Sequence, residues 1–328
     1  MCGSSGSIIN RRKLLLIGAG ALGVAALPVS ALSAEKLSVV ATTSMIADAA
    51  RQVGGDLVEV RGLMGPGVDP HSYRPTRTDI LAMTKADVVL WHGLYLEAQM
   101  EEFMHNLGRR KPVIPVAESL PRDVLLGHDD YEDKFDPHVW MVPTLWEGVV
   151  RAVHEVLIER HPDGKAVFDS NLDVHLEELK ALEAYARDAL ETIPQSRRVL
   201  VTAHDAFKYF GEAYGVEVLG IQGISTQSEA GLNRITELVD ILVERQISAV
   251  FVESSVSDRN MRALIEGAAA KGHRVKIGGQ LFSDAMGQAD SYEGTYVGMI
   301  DHNVTTITRA LGGSAPERGM NGRLAAGS

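Results

Sequence analysis

Four residues stand where open parallel sheets place their chemistry, beyond the carboxyl ends of apolar runs. His71 follows "LVEVRGLMGPGVDP", His204 follows "RRVLVTA" and Asp284 follows "RVKIGGQLFS". His138, in "DPHVWMVP", lies on the loop that closes the first half of the chain. His71 and His138 share an immediate Asp-Pro prefix, and proline stiffens the backbone ahead of each imidazole. One loop histidine taken alone reads as a solvated residue, but four such groups, two from each half, read as a set. Three imidazoles and one carboxylate suit zinc, manganese or iron, because nitrogen and oxygen donors serve that whole series. For zinc the tetrahedral shell would be complete, with no open position for a catalytic water, so the set argues for carrying an ion rather than for hydrolysis. Binding through both oxygens of Asp284 would raise the coordination to five and accommodate manganese.

The elements that must position these groups alternate in the manner of parallel βαβ units, short apolar runs followed by helical patterns. In the first half "LSVVATTS", "LVEVRGL", "DVVLWHG" and "PVIPV" read as strands. Between them "MIADAARQVGG" is a helix closed by Gly54-Gly55, and "TDILAMTKA" is a helix opened by a capping Thr78. The second half repeats the plan with strands "RRVLVTA", "VEVLGI", "SAVFVES" and "RVKIGG", interleaved with helical "DAFKYFGEAYG", "NRITELVDILVERQ" and "RNMRALIEGAAAKG". From Lys165 to Thr192, Phe168, Leu172, Leu176, Leu179, Leu182 and Ala186 recur at helical spacing, with Ile193 beyond; Pro162-Asp163-Gly164 starts the segment and Pro194 stops it. One helix of about 28 residues would be about 42 Å long, a rigid strut permitting only small motion of the lobes. The expected fold is therefore α/β: two similar lobes, each with a four-stranded parallel sheet flanked by helices, joined by a single long helix. The expected boundaries are 35–162 for the first lobe, 163–194 for the linking helix, and 195–328 for the second lobe with a flexible C-terminal tail.

The chain has 328 residues and a formal net charge of -11; its first 34 residues hold Arg11, Arg12 and Lys13 and no acid, so removing them leaves -14. Such a surface repels nucleic acid and anionic lipid. Those first residues read as an export signal: the basic triplet precedes an apolar run, Leu14 to Leu27, and small residues follow at Val29-Ser30-Ala31 and Leu32-Ser33-Ala34. The run is too short for the roughly 20 residues that span a bilayer. The paired arginines also look like a twin-arginine signal, so the export route stays open. The only cysteine, Cys2, precedes the apolar run, which excludes a disulfide framework and a thiolate metal site in the processed protein. A soluble receptor of this kind is expected in the periplasm. "GAGALG" near Gly18 imitates a nucleotide-binding fingerprint, but no strand precedes it.

The segments "VDPHSYRPT", "FDPHVW", "VTAHDAFKYFGEAYG", "FVESS" and "LFSDAMG", followed by "EGTYVGMIDHN", resemble the TroA-like zinc/manganese receptors of ABC transporters, bacterial solute-binding protein family 9. The resemblance runs from about Leu37 to Leu311. It implies metal held in a cleft between two α/β lobes, with the family's ligands falling on His71, His138, His204 and Asp284. It further implies a monomeric, non-catalytic protein that hands its ion to a permease with its ATPase. Many manganese-preferring relatives have glutamate at the position of His204, and dedicated zinc receptors often carry a long histidine-rich loop before the second ligand. This chain has neither: "LLGHDDYEDKFDPH" is short and acidic and holds only His128. Zinc and manganese both stay open, with iron behind them.

Other residues carry weaker expectations. His92 suits a role behind the ligands or in packing, and His128 reads as a solvated loop residue. Glu253 either accepts a hydrogen bond from a ligating imidazole, which would fix its tautomer, or is a cap or surface charge. His105, His154, His161, His175, His273 and His302 read as surface or packing residues. Two rival functions are distinguishable: a zinc hydrolase would need an open metal position and a general base, and a metal-binding adhesin would need surface exposure.

Overall fold

The computed structural model describes residues 36–128, 131–228 and 231–325; the expected export signal lies outside them. The first strand, β1 (Leu37–Ala41), is apolar almost throughout and nearly all buried, as a strand covered on both faces must be. It leads into α1 (Ser44–Gly54), whose first turn is capped by the Thr43 hydroxyl accepting from the Ile46 amide. After β2 (Val58–Gly62) and a loop carrying His71, α2 (Arg77–Lys85) begins. Its cap is Thr76 and not Thr78: the Thr76 hydroxyl and the Asp79 carboxylate each accept the other residue's backbone N–H, a reciprocal box that Thr78, with no acid three residues on, cannot form. The half is completed by β3 (Val88–Trp91), α3 (Glu101–Gly108) and β4 (Val113–Pro115). All pairings are parallel, in the order β2-β1-β3-β4.

Two long helices then run in succession. The first, α4 (Pro143–Arg160), is rich in valine and buries Trp146, Val149, Val150, Val153, Val156 and Leu157. These positions recur three and four residues apart, the spacing of one helical face. The second, α5 (Lys165–Glu191), is the expected strut, with Phe168, Leu172, Leu179, Leu182 and Ala186 buried along one stripe. It packs on α1 and α4 from the first half and on α6 and α9 from the second.

The second half contains β5 (Val199–Thr202), α6 (Lys208–Tyr214), β6 (Glu217–Gly220), α7 (Leu232–Glu244), β7 (Ala249–Glu253), α8 (Arg259–Ala270), β8 (Lys276–Leu281) and α9 (Tyr296–Ala310). Its four strands form two separate parallel pairs, β5-β6 and β7-β8, with β5 lying beside β7, where one continuous four-stranded ladder was expected. The halves share one hydrophobic core. In it Trp146 stacks on Tyr296 at 5.3 Å, and the Tyr296 hydroxyl donates to the Trp140 carbonyl at 2.8 Å. The segment after α9 is held as far as Ala325: Leu324 is buried, Met320 donates its amide to Asp301, and Asn321 donates to the Tyr292 hydroxyl. Among the described residues no helix is long and apolar enough to cross a membrane.

Candidate metal centre

The strand ends and two loops bring His71, His138, His204 and Asp284 together, all buried, with one ligand atom from each lying within 4.8 Å of the others. His204 lies two residues beyond β5, and Asp284 lies three residues beyond β8. The two Asp-Pro-His loops share a device. The carboxylate of Asp69 accepts the backbone N–H of His71 at 2.9 Å, and that of Asp136 accepts the N–H of His138 at the same distance. The motif therefore does more than stiffen: the aspartate side chain folds the loop around the following imidazole.

The Nε2 atoms face one another. His71 Nε2 lies 3.4 Å from His138 Nε2, His138 Nε2 lies 3.4 Å from Asp284 Oδ1, and His204 Nε2 lies 3.3 Å from Asp284 Oδ2. Ligands about 2.0–2.1 Å from a tetrahedral ion are separated by about 3.3–3.4 Å, so these three spacings are those of donors around one ion. His204 Nε2 and Asp284 Oδ1 are buried without a hydrogen-bond partner, as donors awaiting a cation would be.

Two imidazoles are oriented from behind by acids. His138 Nδ1 is 2.6 Å from Asp136 Oδ1, and His204 Nδ1 is 2.5 Å from Glu253 Oε2. Each Nδ1–H donates to its carboxylate, which leaves Nε2 as the inward donor. Glu253 thus occupies the accepting role that the sequence left open, and its other oxygen takes the His204 backbone N–H at 2.9 Å. Asp136 was not singled out by sequence reasoning, although its place in the second Asp-Pro-His motif was the available signal. Among the described residues no acid stands behind His71 in this way; its carbonyl instead accepts from Gln227 Nε2 at 2.5 Å.

The charges follow this layout. Burial pushes the His71 pKa down to about 3, against the nearby Asp284 carboxylate. Burial also works against protonation of His138, yet Asp136 and Asp284 outweigh it and raise the imidazole to about 9. His204 is likewise held well above its ordinary range by Asp284 and Glu253 despite burial. Burial would raise Asp284, but the facing imidazoles hold its carboxyl well below the usual range. The acids thus favour the protonated form of His138 and His204, and burial favours the neutral form of His71.

His92 and His128 stay outside the cluster. His92 is buried, donates Nε2–H to the Pro137 carbonyl at 2.7 Å and meets Trp140 edge-on, so it supports the backbone just before His138. His128 packs on Tyr131 at 4.8 Å and, with His71, Gln99 and Gln227, lines a cavity of about 300 Å³ beside the cluster. It is buried, not solvated as a loop residue would be.

Parallel α/β halves that bury a closed set of donors at their strand ends define a metal-binding solute receptor. The chain belongs to the family described as ZnuA, zinc-uptake complex component A periplasmic, whose pattern matches residues 39–310. Over 277 residues it is 48% identical to the manganese-binding lipoprotein MntA of Bacillus subtilis, covering 84% of this chain and 90% of that one. Over 273 residues it is 45% identical to the zinc-binding protein TroA of Treponema pallidum, covering 83% and 88%. The solved structure of the latter superposes with a TM-score of 0.82 over 84% of this chain and 99% of that chain. The iron-binding protein YfeA of Yersinia pestis is 29% identical over 280 residues, covering 85% and 88%. The protein is a metal-binding component of an ABC import system, extracytoplasmic and without catalytic function.

Proposed function

We propose that His71, His138, His204 and Asp284 ligate one divalent transition metal, zinc or manganese and with lower preference iron, and that the protein delivers it to a permease driven by its ATPase. The observation that carries this reading is the set of three donor separations of 3.3–3.4 Å, which match the edges of a single coordination shell. Relatives named for manganese, zinc and iron support the breadth of the metal range. Asp284 directs one oxygen toward His138 and the other toward His204, which supports bidentate binding and a five-coordinate ion.

In this reading residues 35–162 and 195–328 are the lobes and residues 163–194 the strut that limits their motion. The protein acts as a soluble periplasmic monomer after removal of residues 1–34. The position of Cys2 ahead of the apolar run supports a soluble rather than a lipid-anchored form, and the acidic surface leaves no role for nucleic acid. Metal analysis of protein purified without an affinity tag, followed by titration of the stripped form, tests the site. One ion per chain is expected, lost on His138→Ala or Asp284→Ala; a stoichiometry far from one overturns the reading. Competition between zinc and manganese at fixed pH then ranks the two ions.

A further inference from the structure

We propose that Ser255 sets the denticity of Asp284 and through it the balance between manganese and zinc, an inference that rests on the metal-site reading above. The Asp284 carboxylate straddles two imidazoles, with Oδ1 3.4 Å from His138 Nε2 and Oδ2 3.3 Å from His204 Nε2. Both oxygens face the ion only in this rotation of the side chain. A quarter-turn about Cβ–Cγ withdraws one of them and leaves a monodentate ligand.

Little opposes that turn when the imidazoles are engaged with metal. Oδ1 has no hydrogen-bond partner, and among the described residues the Ser255 hydroxyl is the one neutral donor that reaches the carboxylate, at 3.4 Å from Oδ2. Ser255 Oγ is in turn 2.9 Å from Ser283 Oγ, and Ser283 is fully buried with its carbonyl held by the Trp140 indole N–H at 2.8 Å. Because the carboxylate only accepts, the direction of the relay follows: Ser283 donates to Ser255, and Ser255 donates to Asp284. Ser255 lies two residues after Glu253, the last residue of β7, so the end of that strand orients His204 through Glu253 and Asp284 through Ser255.

The two ions depend unequally on this hold. Zinc is satisfied by three nitrogens and one oxygen in a tetrahedral shell. Manganese favours oxygen donors and a higher coordination number, so it needs the second oxygen more. Removing the Ser255 hydroxyl frees Asp284 to bind through one oxygen, which costs manganese affinity and spares zinc. Ser255 is a positioning residue: it touches the carboxylate and not the ion.

The test uses the stripped full-length processed protein, with cobalt(II) as a coordination probe and zinc and manganese titrated in competition. The parent should give the weaker visible bands of five-coordinate cobalt, and Ser255→Ala the more intense bands of a tetrahedral ion. The manganese dissociation constant should rise about tenfold in Ser255→Ala with zinc affinity held, the scale on which outer partners act on a metal site. Ser255→Thr, which keeps the hydroxyl, should restore both the parent spectrum and the parent affinity ratio. An unchanged cobalt spectrum in Ser255→Ala, a tetrahedral spectrum already in the parent, or an equal loss of both affinities overturns the inference. A parent protein that binds no ion stoichiometrically overturns the site reading itself, whatever Ser255 does.

Discussion

The indole N–H of Trp140 donates to the carbonyl of Ser283 at 2.8 Å, across 143 residues of chain. Trp140 stands two residues after His138 and Ser283 immediately before Asp284, so one buried hydrogen bond ties together two ligand loops from opposite halves. Trp140→Phe keeps the ring and removes the donor, leaving a buried carbonyl unmet at a cost of about 1–3 kcal/mol. Denaturant unfolding of the ion-free protein should register that loss, and calorimetric titration should show weaker metal binding. Unaltered stability would mean the bond is replaced by another donor.

Glu253 makes two contacts to His204, one to its ring and one to its backbone. Glu253→Gln supplies a single accepting oxygen and no charge, so the imidazole becomes a poorer and less oriented donor. Metal affinity should fall by about 10–100-fold, in the range found for outer partners of metal-bound histidines. Circular dichroism should report an intact fold; full parental affinity would refute the role.

Protons compete with the ion for the same atoms. His138 is raised to about 9 and His204 lies well above its ordinary range, whereas His71, at about 3, is already neutral. Loading at pH 7 must therefore expel a proton from Nε2 of each raised histidine, about two per ion, and affinity should climb steeply as pH rises from 6 to 8. Titration in buffers of different ionisation enthalpy measures the count, and release of no protons would contradict the assigned charges. The ion-free protein should behave in the opposite sense. Each raised histidine contributes stability fully below its unfolded pKa of about 6.5, and the His138 share is lost as pH climbs through about 9.

The loop before α7 reaches across to the first half beside the cluster. Gln227 donates to the His71 carbonyl and accepts from Gln99 Nε2 at 3.1 Å, while the Thr226 hydroxyl donates to Asp69 at 2.7 Å. His71, the ligand without an acid behind it, is thus restrained by the opposite half. Gln227→Ala should speed release of bound metal to a chelator in stopped-flow measurements, with little change in folding stability because the site is near the surface. A release rate equal to that of the parent would show that these contacts do not restrain the ligand.

Much of this was legible locally. The strands announce themselves as short apolar runs, and the α5 stripe from Phe168 to Ala186 is a helical repeat that needs no partner to be seen. The four ligands could be read because side chains just beyond strand ends have a defined place in parallel folds. Helix α4 carries the same kind of signal as α5, with Trp146, Val149, Val150, Val153, Val156 and Leu157 at helical spacing, and was left unread. The α2 cap was also open to reading, since Thr76 has an acid, Asp79, three residues on and Thr78 has none.

The linear chain determined the kinds of donor, their order and the strands that carry them, because these depend on residue type and short-range spacing. Only the tertiary structure decided which acid stands behind which imidazole, that His92 supports a carbonyl instead of a metal, and that Asp284 turns both oxygens inward. Apart from the local Asp136–His138 pair, those outcomes are separations of a few ångströms between groups at least 45 residues apart, and the packing of the two halves around α5 sets them rather than any local preference.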